Sequence, residues 1–137
     1  VYSSPCNPTG SVYTKEELKS IAELIASYKN IFIIADEIYE YINYKGKTES
    51  IAQFDFIYDR VITVNGMAKG YAMTGWRIGY CGANKEIIKA MENLQGHSTG
   101  NPSNIAQMAA LEAKTAGTMP AFKAGSERAM NGRKYCG

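Results

Sequence analysis

Lys69 and Arg77 are the two charged residues whose positions best suit chemistry on a bound ligand. Lys69 follows the apolar, β-branched run of residues 61–64 and stands among small residues, and Arg77 comes a little further along the chain. A lysine at the end of a buried strand lies where open α/β sheets bind ligands. In an apolar neighbourhood its ammonium loses a proton more readily, and the free amine can then attack a carbonyl to form a Schiff base. The planar fork of an arginine suits a phosphate, because it binds two oxygens at once.

Asp36 and Asn7 add a carboxylate and an amide to these cations. Asp36 ends the continuous apolar run of residues 31–35, where a buried charge is costly unless it has a partner. It fits either a helix cap or salt bridge, or a carboxylate that faces a cationic atom of a ligand. Asn7 opens the turn Asn-Pro-Thr-Gly directly after a short strand at residues 1–4. This placement makes its amide a candidate donor to a ligand.

A strand–helix–strand unit must position these side chains. Thr14 and Glu17 form a capping-box pattern, and apolar residues at helical spacing predict a helix over 14–28. The strands on either side of it should be parallel, with a right-handed crossover. Beyond them, strand 61–64 is predicted to stop at an Asn65-Gly66 turn.

The remaining elements are a second strand and two helices. Arg77 is predicted to open the strand 77–81. Helices are predicted over 85–94 and 104–114, with a polar loop at 95–101 between them. The second of these helices should bury four apolar residues, which are Ile105, Met108, Ala109 and Leu111. The predicted fold class is α/β, in three layers, with helices on both faces of a mostly parallel sheet.

Composition excludes several classes of function. The 137 residues carry 15 basic and 13 acidic side chains without a block of like charge, which gives no electrostatic support for nucleic-acid or membrane binding. No apolar run approaches the length of a transmembrane helix. Three widely spaced cysteines and a single histidine, His97, match neither a disulfide framework nor a metal site, which favours a cytoplasmic protein. The start at Val1 and the end after a helical pattern suggest a fragment of a longer chain.

Taken in order, residues 7–10, residues 36–39, Lys69 and Arg77 resemble the motifs of a known family. The chain is similar to the central part of the large domain of fold-type I, pyridoxal-phosphate-dependent class I aminotransferases, with the bacterial-type aspartate aminotransferases as the nearest branch. Residues 65–80 carry most of the likeness. It covers residues 1–117 as a partial cofactor-binding domain and leaves 118–137 as a helical tail.

The resemblance implies a role for each site residue. Lys69 would form the Schiff base with the cofactor aldehyde and then shuttle a proton between substrate and cofactor. Asp36 would pair with the pyridine nitrogen and keep it protonated. Asn7 and Tyr39 would hydrogen-bond the phenolic oxygen of the ring, and Arg77 would bind the phosphate. The resemblance also implies a homodimer, a role in amino acid biosynthesis, and a strand at 77–81 that runs antiparallel.

Two departures from the family affect the phosphate site. Many relatives carry a serine just before the lysine and others a hydroxyl residue three positions before it, whereas this chain has Ala68 and Gly66. Phosphate binding would therefore depend more on Arg77 and on parts of the family's enzymes that precede these residues. Because the family's substrate-binding arginine also lies elsewhere, the 137 residues alone are expected to be inactive.

Three functions remain open from the sequence. The first is a transaminase for an amino acid and a 2-oxo acid, with aspartate and 2-oxoglutarate as the leading pair and prephenate or an aromatic partner as alternatives. The second is a pyridoxal-phosphate lyase or synthase on the same fold, since the cofactor site alone does not choose the reaction. The third is a non-catalytic α/β binding domain. A nucleotide-binding domain is disfavoured because neither glycine-rich phosphate motif is present.

Overall fold

Four strands form one mixed sheet in the part of the chain that the computed structural model describes, residues 1–44 and 46–116. The strands are β1 (Tyr2–Ser3), β2 (Ile33–Asp36), β3 (Val61–Gly66) and β4 (Gly79–Gly82). They lie side by side in this order, with β1, β2 and β3 parallel and β4 antiparallel to β3. The predicted α/β class with a mostly parallel sheet is confirmed, as is the antiparallel strand. The predicted helical tail, 118–137, lies outside the described residues.

The helix α1 (Lys15–Ala26) connects β1 to β2 and supplies one side of the core. It begins at the predicted capping box. The Thr14 hydroxyl accepts a hydrogen bond from the Glu17 amide at 3.2 Å, and the Glu17 carboxylate accepts one from the Thr14 amide at 2.8 Å. These bonds from Thr14 hold the pKa of Glu17 below its usual value. The core combines α1, two strands and the residues between β2 and β3: Leu18, Ala22, Ile33, Ala35, Ile51, Phe54, Ile57 and Val61.

The register of the sheet brings the carboxyl ends of three strands level. Asp36, the last residue of β2, pairs with Ser3 of β1 on one side and with Val64 of β3 on the other. The Ser4 amide continues this alignment by donating to the Asp36 carbonyl at 3.2 Å. The segments that follow β1, β2 and β3 therefore leave the sheet at the same edge, which is where α/β sheets place their ligand sites.

The connection from β3 to β4 differs from the prediction. Asn65 and Gly66 do not form a turn; they continue β3 and pair with Tyr80 and Gly79 of β4. Gly66 permits this close pairing because a Cβ there would lie only 3.0 Å from the Ile78 carbonyl oxygen. Arg77 does not open a strand either. It has a left-handed backbone, with φ of 53°, directly after a 3-10 turn (Thr74–Trp76), and such a conformation is incompatible with an extended strand.

The last two helices also depart from the prediction. α2 (Lys85–Ser98) runs through most of the expected loop and ends where Gly100, with φ of 70°, donates from its amide to the Gln95 carbonyl. α3 (Asn104–Thr115) has the expected length, but its buried residue is Ala106. Three of the residues predicted to be buried in it are exposed: Ile105, Met108 and Leu111. Of the helices in the described ranges, none has the length and apolar character to cross a membrane.

Candidate functional site

The loop after β1 brings Asn7 to Tyr39. Two backbone hydrogen bonds close this loop, one from the Gly10 amide to the Cys6 carbonyl at 2.7 Å and one from the Cys6 amide to the Ser11 carbonyl at 3.0 Å. Gly10 adopts a left-handed φ of 67°, which is why a glycine suits the end of this turn. The Asn7 side-chain amide donates to the Tyr39 hydroxyl at 3.2 Å. An acceptor atom beside this pair could receive hydrogen bonds from both groups.

Asp36 lies at the end of β2 and is partly buried. One of its carboxylate oxygens accepts a hydrogen bond from the Ile38 amide at 3.2 Å, so the side chain caps the turn that follows the strand. No helix directly follows β2, so the expected helix cap is replaced by a cap on a turn, and Asp36 takes part in no salt bridge within residues 1–44 and 46–116. The cap also fixes the direction in which the carboxylate leaves the strand end.

Lys69 lies on the turn after β3. The turn is closed by hydrogen bonds from the Tyr71 amide to the Met67 carbonyl at 3.3 Å and from the Ala72 amide to the Lys69 carbonyl at 3.2 Å. Met67 and Gly70 are buried, whereas Lys69 itself is exposed. The apolar burial expected around its ammonium is therefore absent in the described structure. Instead, the Lys69 Nζ lies 5.5 Å from the centre of the Tyr39 ring, within the range of a cation–π contact.

Arg77 stands apart from the other predicted site residues. Its side chain is exposed, and its one hydrogen bond within the described ranges runs from Nη1 to the Thr74 carbonyl at 3.0 Å.

Two residues of the β3–β4 connection, Ala72 and Arg77, have φ of 53° without being glycine. Such backbone strain costs on the order of 1–3 kcal/mol per residue and concentrates at functional sites. The sequence contained no signal for it, because neither residue type favours this conformation.

Glu37 is a buried acid that the sequence reasoning did not single out. It is 7% exposed, and its Oε1 has no hydrogen-bond partner in the described residues, as is also true of the buried Tyr2 hydroxyl. Burial raises the pKa of Glu37, while a hydrogen bond with Ser50 lowers it and the charge of Glu40 raises it further. Burial, and then the Glu37 charge, raises the pKa of Tyr2 to about 12. Strand alternation could have found Glu37, since Ile33 and Ala35 precede it on the same buried face.

A pocket of about 350 Å³ opens beside the Asn7–Tyr39 pair. The loop after β1 lines one side of it with Pro5, Cys6 and Asn7, and the segment after β2 lines the other side with Tyr39 and Tyr44. Its size lies in the range typical of small-molecule sites, and its lining is mainly apolar, as such sites are. The pocket therefore offers ring-sized space next to two neutral hydrogen-bond donors, whereas neither Asp36 nor Lys69 lines it.

The donor set of this edge fits an aldehyde-bearing pyridine cofactor. A carboxylate such as that of Asp36 matches a protonated ring nitrogen, and the Asn7 and Tyr39 donors match a phenolic oxygen. The Lys69 amine, in contact with the Tyr39 ring, matches a carbonyl carbon. The described contacts join Asn7, Tyr39 and Lys69. Asp36 shares their sheet edge without contacting them, and the guanidinium of Arg77, which has the charge for a phosphate, is not brought to any of these residues.

A family model and similar sequences of known proteins all point to aminotransferases. The sequence model of the family described as "Aminotransferase class I and II" matches residues 1–136. The chain is 49% identical over 115 residues to the aspartate aminotransferase of Bacillus subtilis (strain 168), covering 82% of this chain and 29% of that one. It is 46% identical over 115 residues to the probable aspartate/prephenate aminotransferase of Rickettsia bellii (strain RML369-C), with the same coverage of 82% and 29%.

A solved structure also shares this fold. The aspartate aminotransferase from Thermus thermophilus with maleate superposes with a TM-score of 0.82 and 44% sequence identity. The match covers 95% of this chain and 33% of that one. The chain thus spans about a third or less of the length of the relatives it matches.

Proposed function

The chain belongs to the aminotransferase class I and II family, and on that premise we propose that it is part of a pyridoxal-phosphate-dependent transaminase. The enzyme would move the amino group of an L-amino acid to a 2-oxo acid. Aspartate and 2-oxoglutarate are the pair we propose first, because the B. subtilis and T. thermophilus relatives are named aspartate aminotransferases. Prephenate is the alternative acceptor, since the R. bellii relative is named a "probable aspartate/prephenate aminotransferase".

The proposal assigns one task to each candidate residue. When bound, pyridoxal phosphate supplies a carbon that takes up the amino group and a ring that withdraws electrons from the substrate α-carbon. The Lys69 Nζ would hold the cofactor through its aldehyde carbon, and as a free amine it would carry a proton between the substrate α-carbon and the cofactor carbon. The Asp36 carboxylate holds a proton on the ring nitrogen. Asn7 and Tyr39 donate to the phenolic oxygen, and Arg77 binds the phosphate.

One observation carries the proposal. The Asn7 side-chain amide donates to the Tyr39 hydroxyl at 3.2 Å, and the Lys69 Nζ lies 5.5 Å from the centre of the same tyrosine ring. Asp36 ends the strand that leads to this ring. A base, a carboxylate and two neutral donors at one sheet edge are more than a structural turn requires, and they are the groups that transamination on a pyridine cofactor uses.

Mapping of the cofactor adduct tests the proposal. The full-length protein is incubated with pyridoxal phosphate, reduced with borohydride and digested, and the mass increment is located by mass spectrometry. We expect it on Lys69, with loss of the signal in Lys69→Ala and no change in the exposed control Lys85→Ala. Scattered labelling of surface lysines in a protein that circular dichroism shows to be folded would refute the proposal.

Product analysis then separates transamination from the lyase alternative. With an added 2-oxo acid, a transaminase yields the corresponding new amino acid in stoichiometric amounts. A β-eliminating lyase instead releases ammonia and pyruvate. Comparing aspartate with an aromatic amino acid as donor, and 2-oxoglutarate with prephenate as acceptor, would also fix the substrate pair.

Assembly and location form the last part of the proposal. From the family resemblance we infer a homodimer in the cytoplasm that serves amino acid biosynthesis, with part of each active site supplied by the partner subunit. We also infer that residues 1–137 alone have no useful activity. Sedimentation of the full-length protein, cell fractionation, and an assay of the isolated 137 residues test these points in turn.

A further inference from the structure

The relative position of Tyr39 and Lys69 is not fixed by the sheet itself. Pairing between β2 and β3 ends at Asp36 and Val64, and the Glu37 amide adds one more backbone bond, to the Val64 carbonyl at 2.9 Å. Both candidate residues lie beyond this point. Something other than the strand ladder must therefore hold the turn that carries Lys69 against the segment that carries Tyr39.

A side-chain hydrogen bond joins the two segments beyond the last strand pair. The Asn65 side-chain amide donates to Glu40 Oε1 at 2.7 Å, and Asn65 is only 6% exposed. The other end of the same side chain accepts a hydrogen bond from the Gly66 amide at 2.7 Å. Both polar ends of this buried amide are thus satisfied, and the bond to a carboxylate is of the stronger, charge-assisted kind.

Glu40 is itself held in place from two directions. Its amide donates to the Glu37 carbonyl at 2.9 Å, and its carbonyl accepts a hydrogen bond from the Thr48 hydroxyl at 3.0 Å. Its backbone therefore follows the turn that begins at Glu37 and passes through Tyr39. The hydrogen bond from Asn65 to the Glu40 carboxylate therefore connects the end of β3 to this turn.

A second contact lies on the other side of Lys69. A Cβ placed on Gly70 would come within 2.6 Å of Tyr41 Cδ2 and 3.1 Å of Tyr41 Cγ, so the backbone after Lys69 lies directly against the Tyr41 ring. The Tyr71 ring meets the same ring edge-on, with centres 5.8 Å apart at 80°. Burial raises the pKa of Tyr41, and the charge of the neighbouring Glu40 raises it further.

We propose that Glu40 and Tyr41 are positioning residues that hold the Lys69 turn against the Tyr39 segment, Glu40 through Asn65 before the lysine and Tyr41 through Gly70 and Tyr71 after it. The inference rests on the proposed function, because it concerns the cofactor that Lys69 would hold. Neither residue touches that cofactor in this scheme. Their effect is to keep the Lys69 Nζ near the Tyr39 ring, so that the amine meets the cofactor carbon in the productive geometry.

The test compares the rate of cofactor capture in matched variants of the full-length protein. The variants are Glu40→Ala with Glu40→Gln, and Tyr41→Ala with Tyr41→Phe. The controls are Glu92→Gln and Tyr58→Ala, both exposed. For each protein, the rate at which borohydride-trapped pyridoxal phosphate accumulates on Lys69 is measured by mass spectrometry, with circular dichroism and the Tm of the cofactor-free form recorded in parallel.

We expect Glu40→Ala and Tyr41→Ala to slow capture at Lys69 by about tenfold to a hundredfold, since small displacements of a reacting group cost rates of this order. Glu40→Gln should restore much of the rate, because its amide oxygen can still accept from Asn65. Tyr41→Phe should remain close to the parent protein, because the ring persists. The pH at which the absorbance of bound cofactor changes should also move in the two alanine variants and stay in place in both controls.

The outcomes separate this inference from the proposed function. If the parent protein is not labelled at Lys69, the proposed function fails and the inference fails with it. If the parent is labelled and the folded alanine variants capture cofactor at the parental rate, only the inference is overturned. If one alanine variant does not fold, the other alanine variant decides the test. The inference is overturned if this folded variant captures cofactor at the same rate as the parent, Glu40→Gln and Tyr41→Phe.

Discussion

The described chain has two halves that differ in packing: a first half, residues 1–66, with α1 and β1 to β3, and a second half, residues 67–116, with α2 and α3. In the first half, Leu18, Ala22 and Ala35 have no exposed surface and pack between α1 and the sheet. In the second half, α2 has no buried residue and α3 has only Ala106. Large side chains on both of these helices remain exposed, among them Leu94 at 70% and Ile105 at 73%. An amphipathic pattern therefore predicts a helix in both halves, but its apolar face is fully buried only in part, at Leu18 and Ala22 of α1, and is exposed at Leu94 and Ile105.

The site residues lie at the edge of the well-packed half. Asn7, Asp36 and Lys69 follow β1, β2 and β3, whose inner face forms the core with α1. Because the core fixes the three strands in register, it also fixes where these side chains leave the sheet. Arg77 follows a strained turn on the side of β4 and does not lie at the edge formed by the ends of β1, β2 and β3.

Truncation of a core leucine should cause the largest loss of stability among the tests of this difference in packing. We expect Leu18→Ala to lower the free energy of unfolding by about 3 kcal/mol, because it removes a fully buried side chain and leaves a cavity. The matched exposed change Leu94→Ala should alter it by less than about 0.5 kcal/mol in residues 1–137. Urea denaturation followed by circular dichroism measures both. Equal losses would show that the α2 face is packed and that the contrast between the halves is wrong.

The helix caps offer a second, smaller comparison. Thr14→Ala should lower the free energy of unfolding by about 1 kcal/mol, since it removes the hydroxyl that accepts a hydrogen bond from the Glu17 amide at the start of α1. Ser103→Ala at the start of α3 should cost almost nothing, because the Ser103 side chain makes no capping hydrogen bond. The same denaturation experiment gives both values. A larger loss for Ser103→Ala than for Thr14→Ala would contradict the assignment of stability to the first half.

The smallest effect should come from Glu37, a buried acid at the edge of the core, and this effect depends on pH. Burial raises the pKa of Glu37 above its usual value of 4.5, so the folded chain binds this proton more tightly than the unfolded chain does. Ionisation of Glu37 therefore destabilises the fold as the pH rises above 4.5. Glu37→Gln, which cannot ionise, should have a higher Tm than the parent near pH 7, and this difference should vanish as the pH falls below 4.5. The exposed control Glu92→Gln should show no such trend, and a pH-independent shift for Glu37→Gln would refute the argument.

Much of the fold and most of the candidate site could be predicted from the sequence. The capping box at Thr14 and the apolar run of residues 31–35 determine α1 and β2 by local hydrogen bonding and hydrophobic pattern. Their order along the chain then implies a parallel sheet with a right-handed crossover. The residues after each strand, Asn7, Asp36 and Lys69, follow from that topology because parallel strands end at one edge.

Only the tertiary structure determined the features that depend on which other segment packs against a residue. Gly66 reads locally as a turn residue, yet it extends β3 because the backbone of β4 approaches to where its side chain would be. Met108 and Leu111 fit a buried helical face, yet burial requires a neighbouring surface that the described residues do not supply. The bond between Asn65 and Glu40 joins residues 25 apart in sequence. Local pattern encodes the conformation of a segment, whereas contact and burial are properties of pairs of segments, and these appear only when the chain is folded.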